Sequence, residues 1–126
     1  MQELERQDFV LIELAKKAAR TGGGQRGSAL RCESGKIYTG VDIAGSHGAC
    51  AEIVALGTAK ASGETAFNVL VAVGGEEAAK IQSPCGNCRQ LLLAHCPQLE
   101  VILHMGQGGA KKVGVSELLP YYSQHT

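Results

Sequence analysis

The chain has 126 residues, enough for one domain with a single modest core, and its 44% hydrophobic and 19% charged composition is that of an ordered globular protein. Twelve Lys and Arg balance twelve Asp and Glu, and aromatics are 4% with no Trp, so neither the basic field nor the stacking track of a polynucleotide binder is available. Five cysteines, an odd number, speak against a disulfide framework and for metal binding or catalysis.

Residues 4–19 set Leu4, Val10, Leu11, Leu14, Ala15 and Ala18 at helical intervals among Glu, Arg and Lys, which predicts an amphipathic first helix. The same mixed charges are unlike a secretory leader, and no run of about 18 apolar residues exists to span a membrane, so a cytoplasmic protein is expected. Three glycines at 22–24 end the helix. Residues 28–32 and 36–43 flank Glu33-Ser34-Gly35 and read as a hairpin. After the loop at 44–48, the helix formers of 49–61 (ACAEIVALGTAKA) predict a second helix opening at Cys50.

The almost wholly apolar NVLVAV (68–73) predicts a central strand covered on both faces. Ser83-Pro84-Cys85-Gly86 breaks the chain before a third helix over 87–93. EVILH (100–104) is a further buried strand, GQGGAKK a glycine-rich connection, and VSELL a short apolar helix. This alternation predicts an α/β fold, a three-layer α/β/α sandwich around a mixed sheet of about five strands, as one domain over 1–126.

Cys50-Ala51-Glu52 and Pro84-Cys85-Gly86-Asn87-Cys88 both fall at predicted helix starts, where unpaired N–H groups and the helix dipole stabilise thiolates, the form that binds metal. Cys85 and Cys88 have metal-ligand spacing, and Cys50 supplies a third sulfur if the two helix starts meet. Three protein ligands leave a position for water, as in catalytic zinc sites; His47, Cys32 or Cys96 could instead complete a closed structural site. Glu52, on the first turn after Cys50, is placed to exchange protons with a metal-bound water.

CAE followed by PCGNCRQ resembles the zinc-dependent cytidine deaminase superfamily, and the blocks GKIYTGV, SPCGNCRQLLL and VGVSELLP extend the resemblance to the small cytidine and blasticidin S deaminases over nearly the whole chain. The resemblance implies Zn²⁺ held by Cys50, Cys85 and Cys88, and hydrolytic replacement of the 4-amino group of a cytosine compound. Glu52 would carry protons to ring N3 and to the departing amine. It further implies a homotetramer, backbone groups of Ala51 and Ser83 that read the ring and amine, and carboxy-terminal aromatics, here Tyr121 and Tyr122, that close the pocket.

Where cytidine deaminases carry F-x-V-G and N-x-E-N-A-S, this chain has Gly24-Gln25-Arg26-Gly27 and Asp42-Ile43-Ala44-Gly45. The ribose-binding glutamate is missing, while Asp42 can still accept hydroxyl hydrogen bonds. The short loop from Asp42 to Cys50, with His47 as a further substrate contact, leans toward the blasticidin S deaminases; cytidine or deoxycytidine salvage is the second expectation. Family members often place an arginine after the catalytic Glu or between the paired cysteines, where this chain has Ile53 and Asn87. Arg89 is therefore the first candidate to offset the charge of three thiolates, with Arg26 second.

Other readings are weaker. A redox Cys-x-x-Cys pair does not need a distant Cys-Ala-Glu, and a zinc module without catalysis would keep the metal but release no ammonia. Cys32 and Cys96 read as buried small hydrophobes.

Overall fold

The structure, a computed structural model, describes residues 2–23, 26–45, 48–74, 80–84, 86–105 and 109–118. Helix α1 (Arg6–Thr21) leads into strands β1 (Gly27–Cys32) and β2 (Ile37–Val41), which pair antiparallel with Gly27 opposite Val41 and Arg31 opposite Ile37. Helix α2 (Ala51–Ala61) returns the chain to β3 (Phe67–Gly74), the central strand, antiparallel to β1. A short β4 (Lys80–Gln82) pairs with the end of β3, and α3 (Gly86–His95) then crosses to β5 (Glu100–His104), which runs parallel to β3. Strand β6 (Ala110–Gly114) completes the order β2-β1-β3-β5-β6 of a six-stranded mixed sheet, and a 3-10 turn (Val115–Leu118) follows.

The pleat sorts the side chains. Ala29 of β1 and Val69, Val71 and Val73 of β3 meet Leu11, Ile12, Ala15 and Ala19 of α1, whereas Leu30, Cys32 and Leu70 face Ala55, Leu56 and Ala59 of α2 and Leu92 of α3. Helices therefore cover both faces, which is the expected three-layer sandwich. Each fully buried Leu or Val adds about 1.5–3 kcal/mol of transfer free energy. Among the described residues no helix is long and apolar enough to cross a membrane.

Four elements differ from expectation, among them β4, a sixth strand in a sheet expected to have about five. The first helix is shifted two residues toward the carboxy terminus, because the chain before it is extended and pairs Gln2 with Lys112. Ala110-Lys111-Lys112, expected within the GQGGAKK connection, opens strand β6 instead: the lysines and glycine of AKKVG have low strand preference, but pairing with β5 from Glu100 to His104 satisfies its backbone. The helix expected over VSELL is a single 3-10 turn, tied back by the Val115 N–H to the Leu99 carbonyl at 2.9 Å.

One ionic cluster lies beneath α1. Asp8 is fully buried and accepts hydrogen bonds from Arg31 Nη2 of β1 at 3.0 Å, Lys112 Nζ of β6 at 3.0 Å and the Glu5 N–H at 2.8 Å. Burial alone would raise its pKa, but these three donors together hold the carboxyl below the usual range.

Candidate active site

Cys50 is the N-cap of α2, with extended backbone, and Glu52 follows on the first turn of that helix. Helix α2 reaches this position because β2 carries glycine where the two elements touch. A Cβ at Gly40 would stand 2.6 Å from the Ala51 carbonyl oxygen and 2.5 Å from the Ala55 nitrogen. Gly40→Ala is expected to cost about 1–3 kcal/mol through overpacking, read as a lower urea midpoint, and to displace the helix start that carries Cys50 and Glu52. No sequence pattern named Gly40, although a glycine inside a β-branched strand is a sign of close backbone approach.

The Glu52 side chain is 0% exposed. Arg26, at the entry to β1, donates from Nη2 to Glu52 Oε2 at 2.9 Å, and the same nitrogen lies 3.5 Å from the Ser83 carbonyl oxygen. One guanidinium thus spans from the first turn of α2 to the segment that leads into α3, which brings the two cysteine-bearing helix starts to one place. Cys88 is buried on the first turn of α3. Burial pushes the Glu52 carboxyl above its ordinary pKa; Arg26 and a backbone hydrogen bond pull it down, and the charge of Asp42 adds to the upward push.

Among the described residues Glu52 Oε1 is buried with no hydrogen-bond partner. A carboxylate oxygen in that condition calls for a proton donor beyond those residues. Soft thiols at two helix starts that Arg26 links through Glu52 and Ser83, with a buried carboxylate on the first turn of one of them, suit a zinc ion with its water. Among the described residues no group of three metal-ligating side chains comes together, and Cys85, the expected third ligand, lies outside them.

A cavity of about 310 Å³ opens beside Cys50, lined by Arg26, Asp42, Ile43, Ala44, Gly48 and Ala49 among others. Asp42 Oδ1 accepts the Arg26 N–H at 2.8 Å, so the aspartate expected to meet the sugar stands in this wall. Ala51 is buried and Ser83 is exposed at the other side of Glu52. His47, Tyr121 and Tyr122 lie outside the described residues.

Arg89, the first candidate to balance the thiolates, donates from Nε to the Pro84 carbonyl at 2.9 Å and from Nη2 to Ser83 Oγ at 2.5 Å, bracing the turn before α3. Arg26, the second candidate, directs its charge at Glu52, a contact that sequence reasoning did not foresee. Cys32 and Cys96 are buried in the α2–α3 core, and burial pushes both thiols up to about 11. Neither is expected to take up iodoacetamide at about pH 8 in the folded protein, whereas both should label in urea, as mass spectrometry after pulse alkylation would show.

The family model for the cytidine and deoxycytidylate deaminase zinc-binding region matches residues 2–105. A blasticidin-S deaminase of Bacillus cereus is 30% identical, with 93% of this chain and 92% of that protein covered. A cytidine deaminase of Sporosarcina psychrophila is 36% identical over 75% of this chain and 71% of its own length. The crystal structure of cytidine deaminase from Burkholderia pseudomallei superposes with a TM-score of 0.74 at 30% identity, covering 94% of this chain and 98% of that one. With its three layers, its buried glutamate after Cys50 and these similarities, the chain belongs to the cytidine and deoxycytidylate deaminase family, hydrolytic deaminases for which Zn²⁺ is the expected cofactor.

Proposed function

We propose that this protein hydrolyses the 4-amino group of a free cytosine nucleoside, with a blasticidin S type of nucleoside antibiotic as the favoured substrate, releasing ammonia and a uracil-type product. The observation that carries the reading is Glu52: a fully buried carboxylate, one oxygen without a partner among the described residues, two residues from Cys50. Cys50, Cys85 and Cys88 would hold the zinc ion. When bound, zinc polarises a water so that it ionises near neutral pH.

The chain's own groups handle the protons and the fit. Glu52 accepts a proton from the attacking water and passes it to ring N3. It then delivers the water's second proton to the departing amine, so that water plus cytosine ring balances to uracil ring plus ammonia. Backbone groups of Ala51 and Ser83 hold the ring and its amine. The N-termini of α2 and α3 offset part of the charge of three thiolates. Burial of Glu52 keeps bulk water from competing for its protons.

Two features favour the antibiotic over cytidine. No glutamate follows Asp42 where the cytidine deaminases bind ribose, and the similarity to the Bacillus cereus blasticidin-S deaminase runs over 93% of this chain. Ammonia release should be measured on blasticidin S, cytidine, deoxycytidine and cytosine. The highest kcat/KM is expected for blasticidin S. Efficient turnover of cytidine without turnover of blasticidin S would make nucleoside salvage the function instead.

A further inference from the structure

Glu52 needs both of its oxygens in the reaction proposed above: one toward the water, the other toward the N3 edge of the ring. Among the described residues Oε1 is without a partner, while Oε2 is taken by Arg26 Nη2 at 2.9 Å. The same Nη2 approaches the Ser83 carbonyl, the acceptor assigned to the substrate's amine, at 3.5 Å. The Nη2 of a guanidinium and the 4-amino group of cytosine share one chemistry, a planar NH2 on an sp2 carbon that donates to acceptors, whereas ring N3 is itself an acceptor until Glu52 protonates it. Arg26 therefore stands where the substrate's edge has to be.

The pose is built into the fold. The Arg26 stem lies across Gly74 at the end of β3, where a Cβ would come within 2.9 Å of Arg26 Cγ. It is also a pose that can be left. Among the described residues Arg26 Nε is buried without an acceptor, the side chain keeps 27% of its surface exposed, and Asp42 in the wall of the same cavity offers a second carboxylate. Rotation from Glu52 toward Asp42 would open the site without leaving the guanidinium unpaired.

We propose that Arg26 is the specificity residue of this site: its guanidinium holds the subsite between Glu52 and Ser83 in the free protein, and yields it to a substrate that presents a planar amino group to the same two acceptors. This rests on the roles given to Glu52 and Ser83 in the proposed function. The uracil-type product presents a carbonyl oxygen where the substrate had its amine, toward two acceptors, so Arg26 regains its place and the product leaves.

The test uses the zinc-loaded full chain with Arg26→Ala, Arg26→Gln, Gly74→Ala and Glu52→Gln. If Arg26 fills the subsite about nine-tenths of the time, its removal lowers KM by about tenfold. Calorimetry should show the deaminated product binding more tightly to Arg26→Ala in parallel. Guanidinium chloride, at concentrations far below denaturation and against matched NaCl, should inhibit Arg26→Ala competitively and wild type hardly at all. Gly74→Ala, which keeps the arginine but crowds its stem, should lower KM in the same direction. An unchanged or raised KM in Arg26→Ala and Arg26→Gln overturns the proposal, as does a large loss of kcat at constant KM, which would make Arg26 a positioning residue for Glu52. Wild-type turnover by Glu52→Gln would overturn the underlying reading as well, whereas an inactive Glu52→Gln beside an unaltered Arg26→Ala overturns this inference alone.

Discussion

Glu52→Gln is expected to lower turnover by about 10²–10⁴-fold, the usual contribution of a positioned general acid and base, with zinc content unchanged. The substitution keeps shape, burial and an oxygen acceptor for Arg26, and removes the ability to take up and release a proton. Its effect on stability has the opposite sign. Because burial raises the Glu52 pKa in the folded state, its protonated form contributes stability that is full below the unfolded-state value and is lost as pH rises through the folded one. Near pH 7.5 the metal-free wild type therefore carries a buried carboxylate that Arg26 offsets in part, and the neutral amide relieves that cost. Melting of chelator-treated protein should show Glu52→Gln at least as stable as wild type at about pH 7.5, with the advantage shrinking toward about pH 4.5. A variant that melts lower near neutrality would mean that the Arg26 ion pair outweighs desolvation. A variant that still releases ammonia at the wild-type rate would remove Glu52 from the chemistry.

How the sequence and the structure divide the information follows from what each residue depends on. The start of α2 at Cys50 and the course of β3 were legible because helix preference, glycine stops and a continuous apolar run are local signals. Strand β6 was not, since Ala110-Lys111-Lys112-Val113-Gly114 becomes a strand through its ladder with β5, and Lys112 is buried because Asp8 waits for it. Strand β4, three residues long beside the end of β3, depends on pairing in the same way. In the site, Cys50 and Glu52 could be named from their motif. The Arg26–Glu52 pair could not, because it joins residues 26 positions apart through the docking of β1 against α2. Gly40, which lets α2 approach β2, and Gly74, against which the Arg26 stem lies, have no side chain from which these contacts could be read.

Asp8→Asn is expected to destabilise the protein by about 3–5 kcal/mol, the cost of leaving buried charge without its partner. Arg31 and Lys112 are 6% and 5% exposed, and both direct their charge at this one carboxylate from separate strands of the sheet. Among the described residues Arg31 Nη1 already has no hydrogen-bond partner, so none of them stands ready to take over. In a chain of this length each kcal/mol corresponds to roughly 3–5 °C, so the melting temperature should fall by about 10–25 °C. The pH dependence identifies the cause. A carboxyl whose folded pKa is depressed contributes stability that is complete above the unfolded value, about 3.9, and disappears as pH falls through the folded one. The gap between wild type and Asp8→Asn in urea denaturation should therefore be widest near neutrality and close on acidification below about pH 4. Helix α1 lies on the face of the sheet opposite α2 and α3, so the folded variant should keep its kcat. A second variant, Asp8→Leu combined with Arg31→Met and Lys112→Met, removes the charges together and should recover much of the loss, because apolar packing can replace a buried ionic cluster at little cost. A gap below about 1 kcal/mol for Asp8→Asn, the range of exposed ion pairs, would show that water reaches the cluster and that α1 is held by its apolar face alone.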